Sequence, residues 1–198
     1  MMFSVDVADV AYLSLGWEEV EDYVSELAER IYSVYQPNTL LAVMRGGVVV
    51  GVMLADRLGV RRVYTVNLRS YEKPKVRGAL DIYQKPPIES ISNKVVLVID
   101  DIVDSGQSLS AVMQLIELKR AKEVRSSALL VKYHSKYIPD FYVKKVKGWV
   151  FYPWEVREAC EEIYSKIGNV EEAEKILING LGFSKKSVEQ VLKQLKVE

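Results

Sequence analysis

The sequence predicts an α/β fold: a mostly parallel central sheet flanked by helices, followed by a helical C-terminal appendage. Three observations carry this. Val95-Val96-Leu97-Val98-Ile99 is an unbroken apolar run with four β-branched members, the pattern of a strand buried on both faces. It passes through acids and small residues into helical spacing at Leu109, Val112, Leu115 and Ile116. The same strand-then-helix order occurs earlier, at residues 39–44 and 48–58, as expected of βαβ units.

In chain order, residues 1–15 read as a short lead. Helical periodicity starts near Trp17 and puts Val20, Val24, Leu27, Ala28 and Ile31 on one face. Glu18 and Glu19 stand in the first turn, where the helix dipole favours negative charge. Pro37-Asn38 ends the helix. Residues 39–44 form the next buried strand, and Arg45-Gly46-Gly47 leads directly into an apolar helix. A cation and two glycines between a strand and a helix N-terminus suit an anion; a tight turn with a solvent-facing arginine is the plain alternative. Residues 61–68 are a third strand. From Arg69 the chain turns polar and cation-rich up to Pro86-Pro87; so long a connection is expected to be a lid, about 69–87.

The central strand ends in Asp100 and Asp101, and Asp104 follows before Ser105-Gly106-Gln107-Ser108. Gly106 permits close backbone approach and positive φ. Helix-start N–H groups with the Ser105 and Ser108 hydroxyls suit a phosphate. Two adjacent carboxylates suit ribose hydroxyls or Mg²⁺ instead. Residues 123–132 form a fourth core strand with Lys132 at its end, a costly place for a lysine unless it is paired or reaches water. Residues 156–198 read as three helices, at 158–167, 170–178 and 184–195, with Gly168-Asn169 and Asn179-Gly180 as stops. Seven cations there face eight glutamates, which opposes a DNA-reading helix bundle.

The stretch from Val95 to Ser108 resembles the 5-phosphoribosyl-1-pyrophosphate (PRPP) signature of the type I phosphoribosyltransferases: a hydrophobic strand, two acids, two apolar residues, then Asp-Thr-Gly-x-Thr. Ser105 and Ser108 stand at the two Thr positions and keep the hydroxyl. The resemblance covers roughly residues 12–155 and implies the type I phosphoribosyltransferase fold, with a core at 1–155, a hood at about 133–155 and an extension at 156–198. It implies that Asp100 and Asp101 hold the ribose hydroxyls, and that Ser105, Gly106, Gln107 and Ser108 anchor the 5′-phosphate. Arg45, Gly46 and Gly47 would meet the pyrophosphate, in a loop that carries a non-proline cis peptide in many members. Ser70-Tyr71 resembles the flexible-loop dipeptide of the hypoxanthine–guanine enzymes. In the 6-oxopurine branch the acid at the Asp104 place exchanges a proton with purine N7, and the lysine at the Lys132 place donates to O6. The run from Trp149 to Glu155 resembles the xanthine–guanine hood, so Trp149 would stack on the base, Val150 would read its edge and Glu155 would lie near base and metal. The implied metal is Mg²⁺, with Asp100, Asp101 and Glu155 as its ligands.

The implied reaction takes PRPP and a purine base to a nucleoside monophosphate and pyrophosphate, as purine salvage, in a homodimer or homotetramer. Lys132 and Asp104 favour hypoxanthine, guanine or xanthine; the extension over the hood leaves adenine open. A non-catalytic PRPP-sensing regulator is a third reading, opposed by the joint presence of Arg45, Asp104, Lys132 and Trp149.

Lys plus Arg equals Asp plus Glu at 27 each, so no basic excess points to nucleic acid. No apolar run reaches the ~18 residues of a membrane span, and residues 1–6 do not have the pattern of a signal peptide. One cysteine, Cys160, rules out an internal disulfide, and one histidine, His134, rules out a multi-histidine metal site. A cytoplasmic enzyme is expected.

Overall fold

The computed structural model describes residues 2–70, 80–87, 89 and 91–195. In chain order it begins with β1 (Phe3–Val7), β2 (Val10–Ser14), α1 (Trp17–Tyr32), β3 (Thr39–Val43) and α2 (Gly46–Leu58). Next come β4 (Val63–Ser70), β5 (Leu80–Gln84), β6 (Val95–Val103), α3 (Gln107–Leu118), β7 (Glu123–Lys132), β8 (Phe141–Val146) and β9 (Trp149–Phe151). The C-terminal part holds α4 (Val156–Ile167), α5 (Val170–Lys175), a π-helical turn (Ile176–Gly180) and α6 (Lys185–Leu195). These elements divide into two compact units, Asp22–Val146 and Met1–Glu21 with Lys147–Glu198.

In the first unit, six strands among the described residues make one sheet in the order β5-β4-β3-β6-β7-β8. All pairings are parallel except β4 with β5. Every residue of β3 is buried, as are Val96 to Ile99 of β6, which explains their unbroken apolar sequence: helices cover both faces of a parallel sheet. Leu41, Val66, Val98, Leu109, Val112 and Val131 share one core. Two stretches gain detail. Residues 69–70 and 80–84, within the expected lid, are strand: Leu68 pairs with Ile82 and Ser70 with Leu80. Residues 141–146, expected within the hood, form β8 at the edge of this sheet, parallel to β7.

In the second unit, β1, β2 and β9 form a three-stranded sheet, with β1 antiparallel and β9 parallel to β2. The expected lead is thus a hairpin. Its two-residue turn puts Ala8 and Asp9 at positive φ, 47° and 63°, the backbone that matches strand twist. Ala-Asp lacks the Asn-Gly signature, so the turn was silent in the sequence. The three expected C-terminal helices form, and the second ends in the π-helical turn. They do not stand apart: Ala159, Cys160, Ile163, Leu177, Phe183 and Val188 share a core with Val7, Tyr12 and Phe151. Among the described residues no helix is long and apolar enough to cross a membrane.

Candidate active site

The five parallel strands read β4-β3-β6-β7-β8, so the strand order reverses between β3 and β6. In open α/β sheets, ligands bind beyond the carboxyl ends of the strands at such a reversal. Register makes the neighbourhood specific. Ala42 pairs with Ile99, so the loop after β3 lies beside Asp100 and Asp101; the strand expected to end at these acids runs on to Val103.

The contact is close. A Cβ built on Gly46 would sit 1.7 Å from Asp101 Oδ2, and one on Gly47 would sit 2.7 Å from the Ile99 carbonyl oxygen and 3.0 Å from Asp100 Cα. Only glycine lets this backbone rest on the acid pair. Arg45 precedes it, and the Met44–Arg45 peptide is cis. Asp101 is buried and its Oδ1 accepts the Ile102 N–H at 3.0 Å. Asp100 Oδ1 accepts the Asp101 N–H at 3.0 Å. Burial first, then the Asp101 charge, pushes the Asp100 carboxyl well above the usual carboxylate range. Hard oxygens in this arrangement fit a divalent cation that keeps other ligands of its own. Among the described residues no group of three or more His, Cys, Asp or Glu side chains could hold a metal, so a bound metal would need ligands from the substrate or solvent.

Past Asp104 the chain turns through Ser105 and Gly106, whose φ is 85°, into α3. Ser105 Oγ accepts the Gln107 N–H at 3.4 Å. A pocket of about 100 Å³ lies inside this turn, lined by Asp100, Asp104, Ser105, Gly106, Ser108 and Leu109, and the helix start supplies N–H donors for an anion.

The turn after β7 packs against the same loop. A Cβ on Gly106 would meet Tyr137 Cβ at 2.4 Å, and the Lys136 N–H donates to the Ser105 carbonyl at 3.3 Å. His134 Nε2 lies 2.7 Å from Asp104 Oδ1. A wider cleft of about 520 Å³ runs along the first turns of α3 to His134, Lys136 and Tyr137. Lys132 is 7 % exposed. Burial lowers its pKa while the Asp104 charge acts in the opposite sense, a combination often met at functional sites.

The structure thus brings Arg45, Gly46, Gly47, Asp100 and Asp101 together, and joins Asp104 to Ser108 with the turn that carries Lys132. His134 was read in the sequence only as too few histidines for a metal site. A lone histidine carries no spacing signal; its place beside Lys132 was the available clue. Trp149, Val150 and Glu155 belong to the second unit. There Val150 is buried, Trp149 is exposed, and Glu155 Oε2 accepts the Tyr152 N–H at 2.9 Å, closing the turn ahead of α4. Ser70 ends β4; its side chain and Tyr71 lie outside the described residues.

Comparison with known proteins agrees with this geometry. A family model described as a phosphoribosyl transferase domain matches residues 16–160. The chain is 30% identical over 144 residues to a xanthine-guanine phosphoribosyltransferase of Vibrio parahaemolyticus, covering 72% of this chain and 88% of that one. Among solved structures, it resembles a Helicobacter pylori xanthine-guanine-hypoxanthine phosphoribosyltransferase with a TM-score of 0.68 and 31% identity, over 78% of this chain and 99% of that one. It also resembles a purine phosphoribosyltransferase from Pyrococcus horikoshii with a TM-score of 0.65 and 27% identity, over 73% of this chain and 93% of that one.

Proposed function

The chain belongs to the phosphoribosyltransferase family, and on that premise we propose that it transfers the 5-phosphoribosyl group of PRPP to a 6-oxopurine base, in purine salvage. The names of the relatives, xanthine-guanine and xanthine-guanine-hypoxanthine phosphoribosyltransferase, support the substrate class. The observation that carries the reading is the seating of Gly46 and Gly47 on the Asp100–Asp101 pair. It sets a cation-bearing anion loop against sugar-binding acids, next to a phosphate-sized pocket.

The roles divide as follows. The Ser105–Ser108 turn binds the 5′-phosphate and supplies binding energy remote from the reacting carbon. Asp100 and Asp101 take the ribose hydroxyls and would hold Mg²⁺ brought by the diphosphate, a cation whose chemistry would be to neutralise charge on the leaving group. Breaking the C1–O bond leaves an oxocarbenium-like sugar, and Arg45 with the Gly46 and Gly47 N–H groups stabilises the departing pyrophosphate. Lys132 donates to the purine O6. Trp149 stacks on the base and Val150 reads its edge. Asp104 takes the purine N7 proton, a step worth about 10²–10⁴-fold in rate.

The test is purified protein with PRPP, Mg²⁺ and each of hypoxanthine, guanine, xanthine and adenine, following nucleotide formation. The reading predicts turnover with 6-oxopurines and discrimination against adenine of up to about 10⁴–10⁵. Turnover with adenine alone overturns the substrate class. PRPP binding with no turnover of any base overturns the enzyme.

A further inference from the structure

The base that takes the purine proton must be aimed, and Asp104 stands on an exposed turn with a side chain 63% accessible. We propose that His134 is the positioning residue that aims it. The inference rests on the reading of Asp104 as proton acceptor and goes beyond it. His134 Nε2 lies 2.7 Å from Asp104 Oδ1, within hydrogen-bonding reach of a charge-assisted pair. One carboxylate oxygen is thereby engaged, and Oδ2 faces the task of accepting a proton. As the purine nitrogen forms its bond to C1 and the C1–O pair leaves with pyrophosphate, the ring N–H proton passes to Asp104.

A hydrogen bond between two exposed side chains defines little by itself; here the turn that carries His134 is fixed to the turn that carries Asp104. The Ser135 N–H donates to the Lys132 carbonyl at 3.0 Å, and the Lys136 N–H to the Ser105 carbonyl at 3.3 Å. Ser135 Oγ donates to the Tyr137 carbonyl at 2.8 Å, and Tyr137 lies directly over Gly106, where no Cβ would fit. The Tyr137 hydroxyl is 3.0 Å from Ser126 Oγ on β7, which ties the turn to the sheet. His134 is therefore held in a fixed place relative to the loop whose acid it touches. Lys132, at the base of the same turn, is the group proposed to meet O6, so one hydrogen-bonded segment governs the group at O6 and the acid at N7. Reactive groups held by such supporting contacts keep their productive geometry.

The experiment compares wild type, H134A, H134Q and D104N, measuring kcat and the KM for PRPP and for the base. Gln keeps an amide donor at the reach of Nε2. With loss of one hydrogen bond to a charged group, H134A is expected to lower kcat about tenfold with the KM for PRPP within about twofold of wild type, while H134Q returns to within about threefold of wild type. A merely structural role gives a different result: loosening a turn clamped on Ser105 and Gly106 raises the KM for PRPP, and Gln does not rescue it. That outcome, or an unchanged kcat in H134A beside a crippled D104N, overturns the inference alone. H134L, which keeps bulk without a donor, replaces H134A if alanine lowers the yield of folded protein. Inactive wild type, or fully active D104N, overturns the role of Asp104 and the inference with it, and both results appear without any His134 variant.

Discussion

Two adjacent carboxylates at the end of a buried strand repel one another unless something takes their charge. Asp100 registers this directly, its carboxyl driven upward by burial and by Asp101. The residue that lets an anion loop reach them is Gly46. Its missing Cβ would fall 1.7 Å from Asp101 Oδ2, so Gly46→Ala forces the acid or the loop to move. We expect a loss of pyrophosphate affinity of at least about tenfold, or about 1.4 kcal/mol, by calorimetry with Mg²⁺. Gly168 is the control: it has φ 68° and open space around it, so Gly168→Ala costs about 1 kcal/mol in stability and leaves pyrophosphate binding unchanged. Equal binding by wild type and Gly46→Ala contradicts the account. Arg45-Gly46-Gly47 was legible as a candidate anion loop, because a cation and glycines before a helix have a local meaning. Its seating on Asp101 was not, because that contact comes from the register of β3 on β6, which no short window contains. His134 was missed for a like reason: its contact with Asp104 depends on the pairing of β6 with β7.

At the scale of elements, the buried strands were legible and the small sheet was not. Runs such as Val95 to Ile99 declare themselves because helices cover both faces; β1 and β2 are short, half exposed and joined by an unmarked turn. Yet this small sheet is what the C-terminal helices share a core with. Tyr12 stacks on Phe151 with centroids 5.6 Å apart, Phe183 meets Phe151 edge-on at 6.3 Å, and the Tyr12 hydroxyl donates to Glu162 Oε1 of α4 at 2.6 Å. Burial, then the hydrogen bond and charge of Glu162, raise the Tyr12 pKa to about 12. An unfolded tyrosine ionises near 10, so the folded state resists ionisation that the unfolded state accepts. The stabilisation is complete below about pH 10 and is lost as pH rises through about 12. Tyr35 and Tyr137 are raised too, so the readout is a difference. Tyr12→Phe should show a shallower fall in Tm between pH 9 and 11.5 than wild type. Identical slopes refute the linkage of β2 to α4 through this hydroxyl.

At the scale of the molecule, the architecture gathers chemistry from far-apart segments at one reversal of strand order. Residues 45–47 supply a candidate anion loop, 100–101 an acid pair, 104–108 a turn around a phosphate-sized pocket and 132–137 a clamp on that turn. This chain extends beyond its Helicobacter pylori relative: 99% of that chain is matched by 78% of this one, and the family model ends at residue 160, ahead of most of the C-terminal helices. On the proposed function the acids around the end of β6 divide their work: Asp100 and Asp101 would serve the donor and Asp104 the base. The direct measurement is Asp104→Asn, with PRPP affinity and kcat determined on the same preparation. The account predicts a PRPP Kd within about threefold of wild type, a shift below 1 kcal/mol, and a kcat lower by about 10²–10⁴. An unchanged kcat, or a loss of PRPP binding that accounts for the whole loss of rate, would contradict it.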